Sequence, residues 1–83
     1  MKYRLLEVIV LERDIPQHRL RRGDVGTIVE LYEPDGIEVE FMDAKGKTVA
    51  VITLSIDDVR PAGGDDLVGR RKRARAAREP ARF

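Results

Sequence analysis

The side chains most suited to acid–base chemistry are the acidic residues Glu38, Glu40 and Asp43. Glu38 and Glu40 are two positions apart, so on a strand they share one face at a spacing of about 7 Å. Paired carboxylates work as general acid and base only where one of them is removed from water. These two alternate with apolar residues and belong to the solvent side of a strand. We therefore predict ordinary surface residues.

No other motif predicts catalysis, a metal or a cofactor. The stretch Gly23-Asp24-Val25-Gly26 has the glycines of a phosphate loop but leads into a strand, whereas phosphate loops lead into a helix. His18 is the only histidine and there is no cysteine, so a zinc site lacks further ligands of these types. We expect a protein that is not an enzyme and that uses no cofactor or metal.

The chain is short, and its two parts, residues 1–66 and 67–83, have opposite net charges. The 83 residues allow one domain, and the lack of cysteine fits a reducing cytoplasm. The apolar run 5–11 is interrupted by Glu7 and is too short to span a membrane, so no membrane or signal segment is expected. Residues 1–66 hold 9 Lys or Arg and 14 Asp or Glu, a net charge of −5, whereas 67–83 hold 7 and 1, a net charge of +6.

Apolar and β-branched residues between glycine-bearing turns predict an all-β domain over residues 1–61. Strands are expected at 5–11, 25–32, 37–41 and 48–54, with a long loop at 12–23 and tight turns at 33–36 and 43–47. Ser55 and Asp58 have capping-box spacing, which predicts a helical or 3₁₀ turn before a short closing strand. The pattern is typical of a small antiparallel SH3-like barrel, followed over 62–83 by a Gly/Asp linker and a flexible Arg-rich tail.

The strands at 5–11 and 48–54 are apolar on both faces, although a small barrel has only one interior. The predicted core is Leu6, Val8, Val10, Val25, Val29, Leu31, Val39, Phe41, Val49, Val51, Ile56 and Val59. The opposite faces carry Ile9, Leu11, Ile52 and Leu54, and such a patch is unusual on a monomer. We predict a protein interface at these four residues, in a homodimer with or without exchanged strands, or with another small protein. The alternative is that the 12–23 loop or the tail covers the patch.

Two resemblances support the fold. The stretch from Leu20 to Tyr32 resembles the Gly-Asp-containing opening of KOW modules and other SH3-like barrels. Residues 5–61 resemble a bacterial family known as domain of unknown function 4926, through Arg22-Gly23-Asp24-Val25-Gly26-Thr27, Val39-Glu40-Phe41, Gly46-Lys47-Thr48, Thr53-Leu54 and Val59-Arg60-Pro61. That resemblance implies a small β domain with no established activity, and hence no catalytic residue to carry over. The resemblance also implies an antitoxin-like module with a protein partner, because genes of that family are associated with neighbours that resemble toxin–antitoxin pairs.

The basic tail supports an alternative function, weak and sequence-independent binding of nucleic acid. Its cations include Arg70, Arg71, Lys72, Arg73, Arg75 and Arg78. Flexible cations attract phosphate backbones with an affinity that falls steeply as salt rises. Few aromatic residues are present to stack on bases, so readout of sequence is not expected. A solubilising tail without a binding role is the other interpretation.

Removal of residues 66–83 tests the tail. The truncated chain should keep its cooperative thermal unfolding, because the predicted core lies within 1–61. It should lose any retention of DNA or RNA that the full chain shows at low salt. Filter binding at low and high salt measures the loss, and equal binding by the truncated chain would show that the tail is not the binding element.

Overall fold

The structure is a computed structural model that describes residues 1–64, and these form one antiparallel sheet. Its strands are β1 (Val8–Leu11), β2 (Val25–Tyr32), β3 (Gly36–Met42), β4 (Thr48–Ser55) and β5 (Val59–Pro61). The strand order is β4-β3-β2-β1-β5, and every neighbouring pair is antiparallel. The 3₁₀ turn Ile56–Asp58 joins the two edge strands. The predicted all-β, SH3-like class is confirmed, whereas the predicted tail lies outside the described residues from 65 onward.

The conformations of the turns follow from the chemistry of their residues. Gly23 and Gly46 have positive φ values of 97° and 84°, which a residue without Cβ adopts at little cost. In the 43–47 turn, Oδ1 of Asp43 accepts hydrogen bonds from the amides of Lys45 at 2.9 Å and Lys47 at 3.0 Å. These bonds, above all the one from Lys47, hold the pKa of Asp43 below its ordinary value. The residue that opens the turn therefore also fixes it.

The predicted capping box is confirmed. The amide of Asp57 donates to Ser55 Oγ at 3.1 Å, and the amide of Ser55 donates to Asp58 Oδ2 at 3.1 Å. Asp58 also binds Arg13 Nε through Oδ1 at 2.9 Å, and its carbonyl accepts the amide of Glu12 at 2.8 Å. The turn between β4 and β5 thus holds the start of the long loop that follows β1.

The core lies on one face of the sheet, with the long loop folded over it. Its members are Tyr3, Ile9, Leu11, Ile15, Leu20, Ile28, Ile37, Val39, Phe41, Leu54 and Val59. Across β2 and β3, Gly26 pairs with Phe41. A Cβ on Gly26 would lie 2.6 Å from Val39 Cγ1 and 2.9 Å from Phe41 Cε1, so these two side chains already fill the space over the glycine.

A bulge in the β3–β4 hairpin sets the faces of β4. Met42 of β3 pairs with Thr48 of β4. Phe41, the preceding residue of β3, pairs with Ala50, so Val49 is left as an extra residue on β4. A shift of one residue moves each later side chain of a strand to the opposite face.

This shift corrects the prediction for β4. Val49 and Val51, predicted as core, are 53% and 48% exposed. Leu54, predicted as exposed, is buried, and Ile52 packs against the core. Without the bulge, one-to-one pairing in the hairpin would place Val49 and Val51 on the core face, as predicted.

The prediction also chose the wrong face of β1. Ile9 and Leu11 are 0% exposed, whereas Leu6 is 74% exposed and Val8 is half-buried. Val10, on the opposite face from Ile9, is buried as predicted. Because both faces of the strand are apolar, the alternation in the sequence holds no information about which one faces inward.

The strand β1 also begins later than predicted. Residues 4–7 form a turn closed by the Glu7 amide on the Arg4 carbonyl at 3.2 Å, and Leu6 there has a φ of 69°. On β2, a second register shift between Ile28 and Glu30 leaves Val29 as an extra residue. Ile28 is therefore buried, and Val29, predicted as core, is only half-buried.

Gly26→Ala tests the packing over Phe41. The added methyl group overlaps buried side chains on the neighbouring strand, so the free energy of unfolding should fall by about 1–3 kcal/mol. Urea unfolding followed by circular dichroism measures the change. The matched control is Gly64→Ala, where a Cβ meets no atom within 4 Å, and its free energy of unfolding should not change measurably.

Candidate protein-interaction edge

The strand β4 forms an edge of the sheet and has no charged residue. Within residues 1–64 its ladder of hydrogen bonds runs to β3 alone. The eight residues Thr48–Ser55 include no charge, proline or glycine. Folded proteins normally protect an edge of this length with charges, proline or a very short strand, because its unpaired amides and carbonyls can accept another strand.

The direction of the backbone groups along β4 follows from the register. The backbone amide and carbonyl of Ile28 both form hydrogen bonds with the segment before β1. Val39, which lies opposite Ile28 on β3, therefore directs its own amide and carbonyl to β4. Val39 pairs with Ile52, whose amide and carbonyl therefore face β3. The alternation then turns the amides and carbonyls of Val51 and Thr53 away from the sheet.

The side chains beside this edge are apolar or hydroxyl-bearing. Val49 and Val51 are exposed. Val51 pairs with Glu40 and lies on the outer face, the face of the sheet opposite the core. Thr53 Oγ1 donates to Glu38 Oε1 at 2.6 Å, and Thr48 Oγ1 donates to Glu40 Oε2. The threonines thus hold the carboxylates of β3, while the valines remain in contact with solvent.

An acidic row, formed by Glu30, Glu38 and Glu40, crosses the outer face next to β4. Glu30 pairs directly with Glu38 across β2 and β3. Tyr32 lies at the end of this row, and its pKa is raised by partial removal from water, by the charges of Glu38 and Glu30, and by a hydrogen bond to Glu38. The face beside the edge therefore has a negative potential.

The sequence of the sheet matches one known protein family. The family model described as Domain of unknown function (DUF4926) matches residues 5–61, from the turn before β1 to the end of β5. The chain belongs to this family. Comparison with curated proteins and with solved structures gives no match. The DUF4926 region therefore includes the whole sheet, and the family itself names no activity.

The DUF4926 sheet does not expose the predicted interface residues. Ile9, Leu11 and Leu54 are buried in the core, and Ile52 packs against it, so the exposure on which that prediction rested is wrong. The cations predicted to bind nucleic acid, Arg70, Arg71, Lys72, Arg73, Arg75 and Arg78, lie outside the described residues. The hydrophobic pattern does not identify Val51 as a surface residue, because the bulge that turns it outward leaves no mark in that pattern.

The acidic residues considered for catalysis are separated. Glu38 and Glu40 lie on the outer face as predicted, whereas Asp43 is engaged in its own turn. His18 is exposed in the 3₁₀ turn Pro16–His18. Among residues 1–64, no three His, Asp or Glu side chains are placed to hold a metal ion. The same part of the chain contains no helix long and apolar enough to cross a membrane.

Glu38→Gln tests the electrostatics of the acidic row. The substitution removes the charge that acts most strongly on Tyr32, so the pKa of Tyr32 should fall toward its ordinary value. Phenolate absorbance across an alkaline titration measures it, in a Tyr3→Phe background that leaves Tyr32 as the only tyrosine. The control is Glu33→Gln, which lies outside the row, and an equal fall in both variants would contradict the assignment.

Proposed function

We propose that this domain is a non-catalytic protein-interaction module that receives an extended segment along β4. The observation that carries the proposal is the uncharged, eight-residue edge Thr48–Ser55. Strand addition at such an edge draws affinity from main-chain hydrogen bonds and selectivity from alternate side chains. The outward amides and carbonyls of Val51 and Thr53 can form these main-chain hydrogen bonds.

The other edge of the sheet supports binding at β4 rather than at both edges. The strand β5 has only three residues and ends at Pro61, which has no amide to donate. Arg60 beside it lies 3.7 Å from the carboxylate of Glu12. A short edge with a charge and a proline is a protected one, so a partner strand is directed to β4.

The side chains of β4 add apolar contact to the main-chain bonds. Val49 and Val51 are both about half exposed, so a partner strand can bury the remaining surface. Burial of apolar area contributes about 25 cal/mol per Å² before the entropy of association is charged. Another copy of this chain, or a small companion protein that this module binds as an antitoxin-like protein would, meets these requirements in the cytoplasm.

A blocked edge tests the proposal. Tagged full-length chain should retain a companion protein from a lysate of its own cells after nuclease treatment. The double variant Val49→Lys/Val51→Lys should lose most of it, because lysines on an edge strand repel and obstruct an added strand. Quantitative mass spectrometry of the eluted proteins measures the loss.

The matched control for that test is Leu5→Lys/Leu6→Lys. It exchanges two exposed aliphatic residues for the same two charges, but in the turn before β1 rather than on β4. The control should retain the companion as the unchanged chain does. Equal retention by the β4 variant, or equal loss in the control, would contradict binding at this edge.

The charge distribution favours nucleic-acid binding through the tail as a second candidate. Residues 1–64 hold 9 Lys or Arg and 12 Asp or Glu, a net charge of −3, and the acidic row lies on their surface. A phosphate backbone would be repelled by this body and attracted by the cations after residue 69. The truncation at residue 66 tests this candidate.

A further inference from the structure

We infer that the strand received along β4 is β4 of a second copy of this chain, paired antiparallel about a two-fold axis at Ile52. The inference rests on the proposed function and names its partner. In this register Val51 of each copy lies opposite Thr53 of the other. The interface is isologous, since the same residues contribute on both sides.

The regular part of β4 fits this register. Val51 and Thr53 both turn their backbone groups away from β3, so each pair of Val51 with Thr53 of the second copy exchanges two main-chain hydrogen bonds. On the core side, Ala50 lies opposite Leu54 of the second copy, and a small residue faces a larger one. Ile52, half-buried at the rim of the core, meets its equivalent on the axis and is covered.

The charges at the ends of β4 are complementary in an antiparallel arrangement. Lys45 and Lys47 precede the strand, and Asp57 follows it. Antiparallel pairing brings the lysine-bearing end of one β4 beside the aspartate-bearing end of the other, and symmetry repeats this arrangement. A parallel arrangement would bring like charges together at each end, so the charges select the antiparallel one.

The acidic rows do not oppose this pairing. They run along β2 and β3, so two β4 strands separate the carboxylates of one copy from those of the other. Three strand spacings amount to roughly 14 Å, beyond the Debye length of about 8 Å at physiological salt. The repulsion between the rows is therefore largely screened, and within each copy Thr48 and Thr53 bind two of the carboxylates.

A contact between single strands is small, so the dimer is weak. Stable interfaces bury about 800 Å² on each partner, more than one edge strand supplies. We expect a monomer–dimer equilibrium in the micromolar range or above. Sedimentation equilibrium of the full chain over a wide range of concentration should show the mass rising from one copy to two.

Cysteine cross-linking tests the register, because the chain has no cysteine of its own. Val51→Cys mixed with Thr53→Cys should give a disulfide-linked heterodimer on mild oxidation. Directly opposite residues of this kind have Cα atoms about 5.5 Å apart, within the range that a disulfide bridges. Each variant alone should cross-link far less, because its equivalent lies on the diagonal at about 7–8 Å.

Exchange of the charges that flank β4 tests the contact between the ends of the two strands. Lys47→Asp should weaken the dimer severalfold in sedimentation, because negative charges then lie near each other at both ends of the paired strands. Asp57→Lys should weaken it in the same way. The combined variant Lys47→Asp/Asp57→Lys should restore the association of the unchanged chain, and thermal unfolding of each variant shows that the fold is kept. Failure of the combined variant to recover would contradict the antiparallel arrangement.

The outcomes of these experiments distinguish failure of the dimer from failure of the proposed function. A chain that stays monomeric at every concentration overturns the second copy as the occupant, and preferential cross-linking of Val51→Cys with itself overturns the register. If the chain is monomeric but still loses a companion protein when Val49 and Val51 become lysine, the module binds a different protein along β4. If neither association depends on β4, both proposals fail.

Discussion

The close approach of Phe41 to Gly26 is the constraint on which the rest of the barrel depends. Gly26 lies in β2 between Ile9 of β1 and Phe41 of β3, and both of these partners are buried. A side chain at this point would meet Val39 and Phe41 well inside normal contact distance. The glycine therefore fixes which face of three adjacent strands is the inner one. The long loop and the 3₁₀ turn then close over a core whose position is already determined.

Two bulges, each of one extra residue, determine which side chains of β2 and β4 lie on that inner face. Val29 and Val49 are extra residues in their ladders, and each changes which neighbours share a face. On β4 the result is that Ile52 and Leu54 contribute to the core, while Val51 is turned to solvent. A strand that is apolar on both faces can serve two purposes at once. One face stabilises the barrel, and the other remains available on an unprotected edge.

The sequence predicts those features that depend on local chemistry. The alternation of Ile37, Val39 and Phe41 identifies the core face of β3, and the spacing of Ser55 and Asp58 identifies the 3₁₀ turn. The positions of the strands follow from their β-branched residues and turns. The inward faces of β1 and β4 do not, because apolar residues occupy both faces and the bulge at Val49 is a property of pairing. Since the edge is defined by residues that the bulge exposes, it too becomes visible only in the structure.

The shortness of β5 has a consequence for higher-order assembly. A sheet grows into a filament only when each subunit offers two edges that fit one another head to tail. Here the second edge has three residues and ends at Pro61, so it gives an incoming β4 almost nothing to bind. Under the proposed pairing, growth by successive addition would stop at the first step. An apolar edge that would otherwise favour fibril formation would then be restricted to a single closed contact.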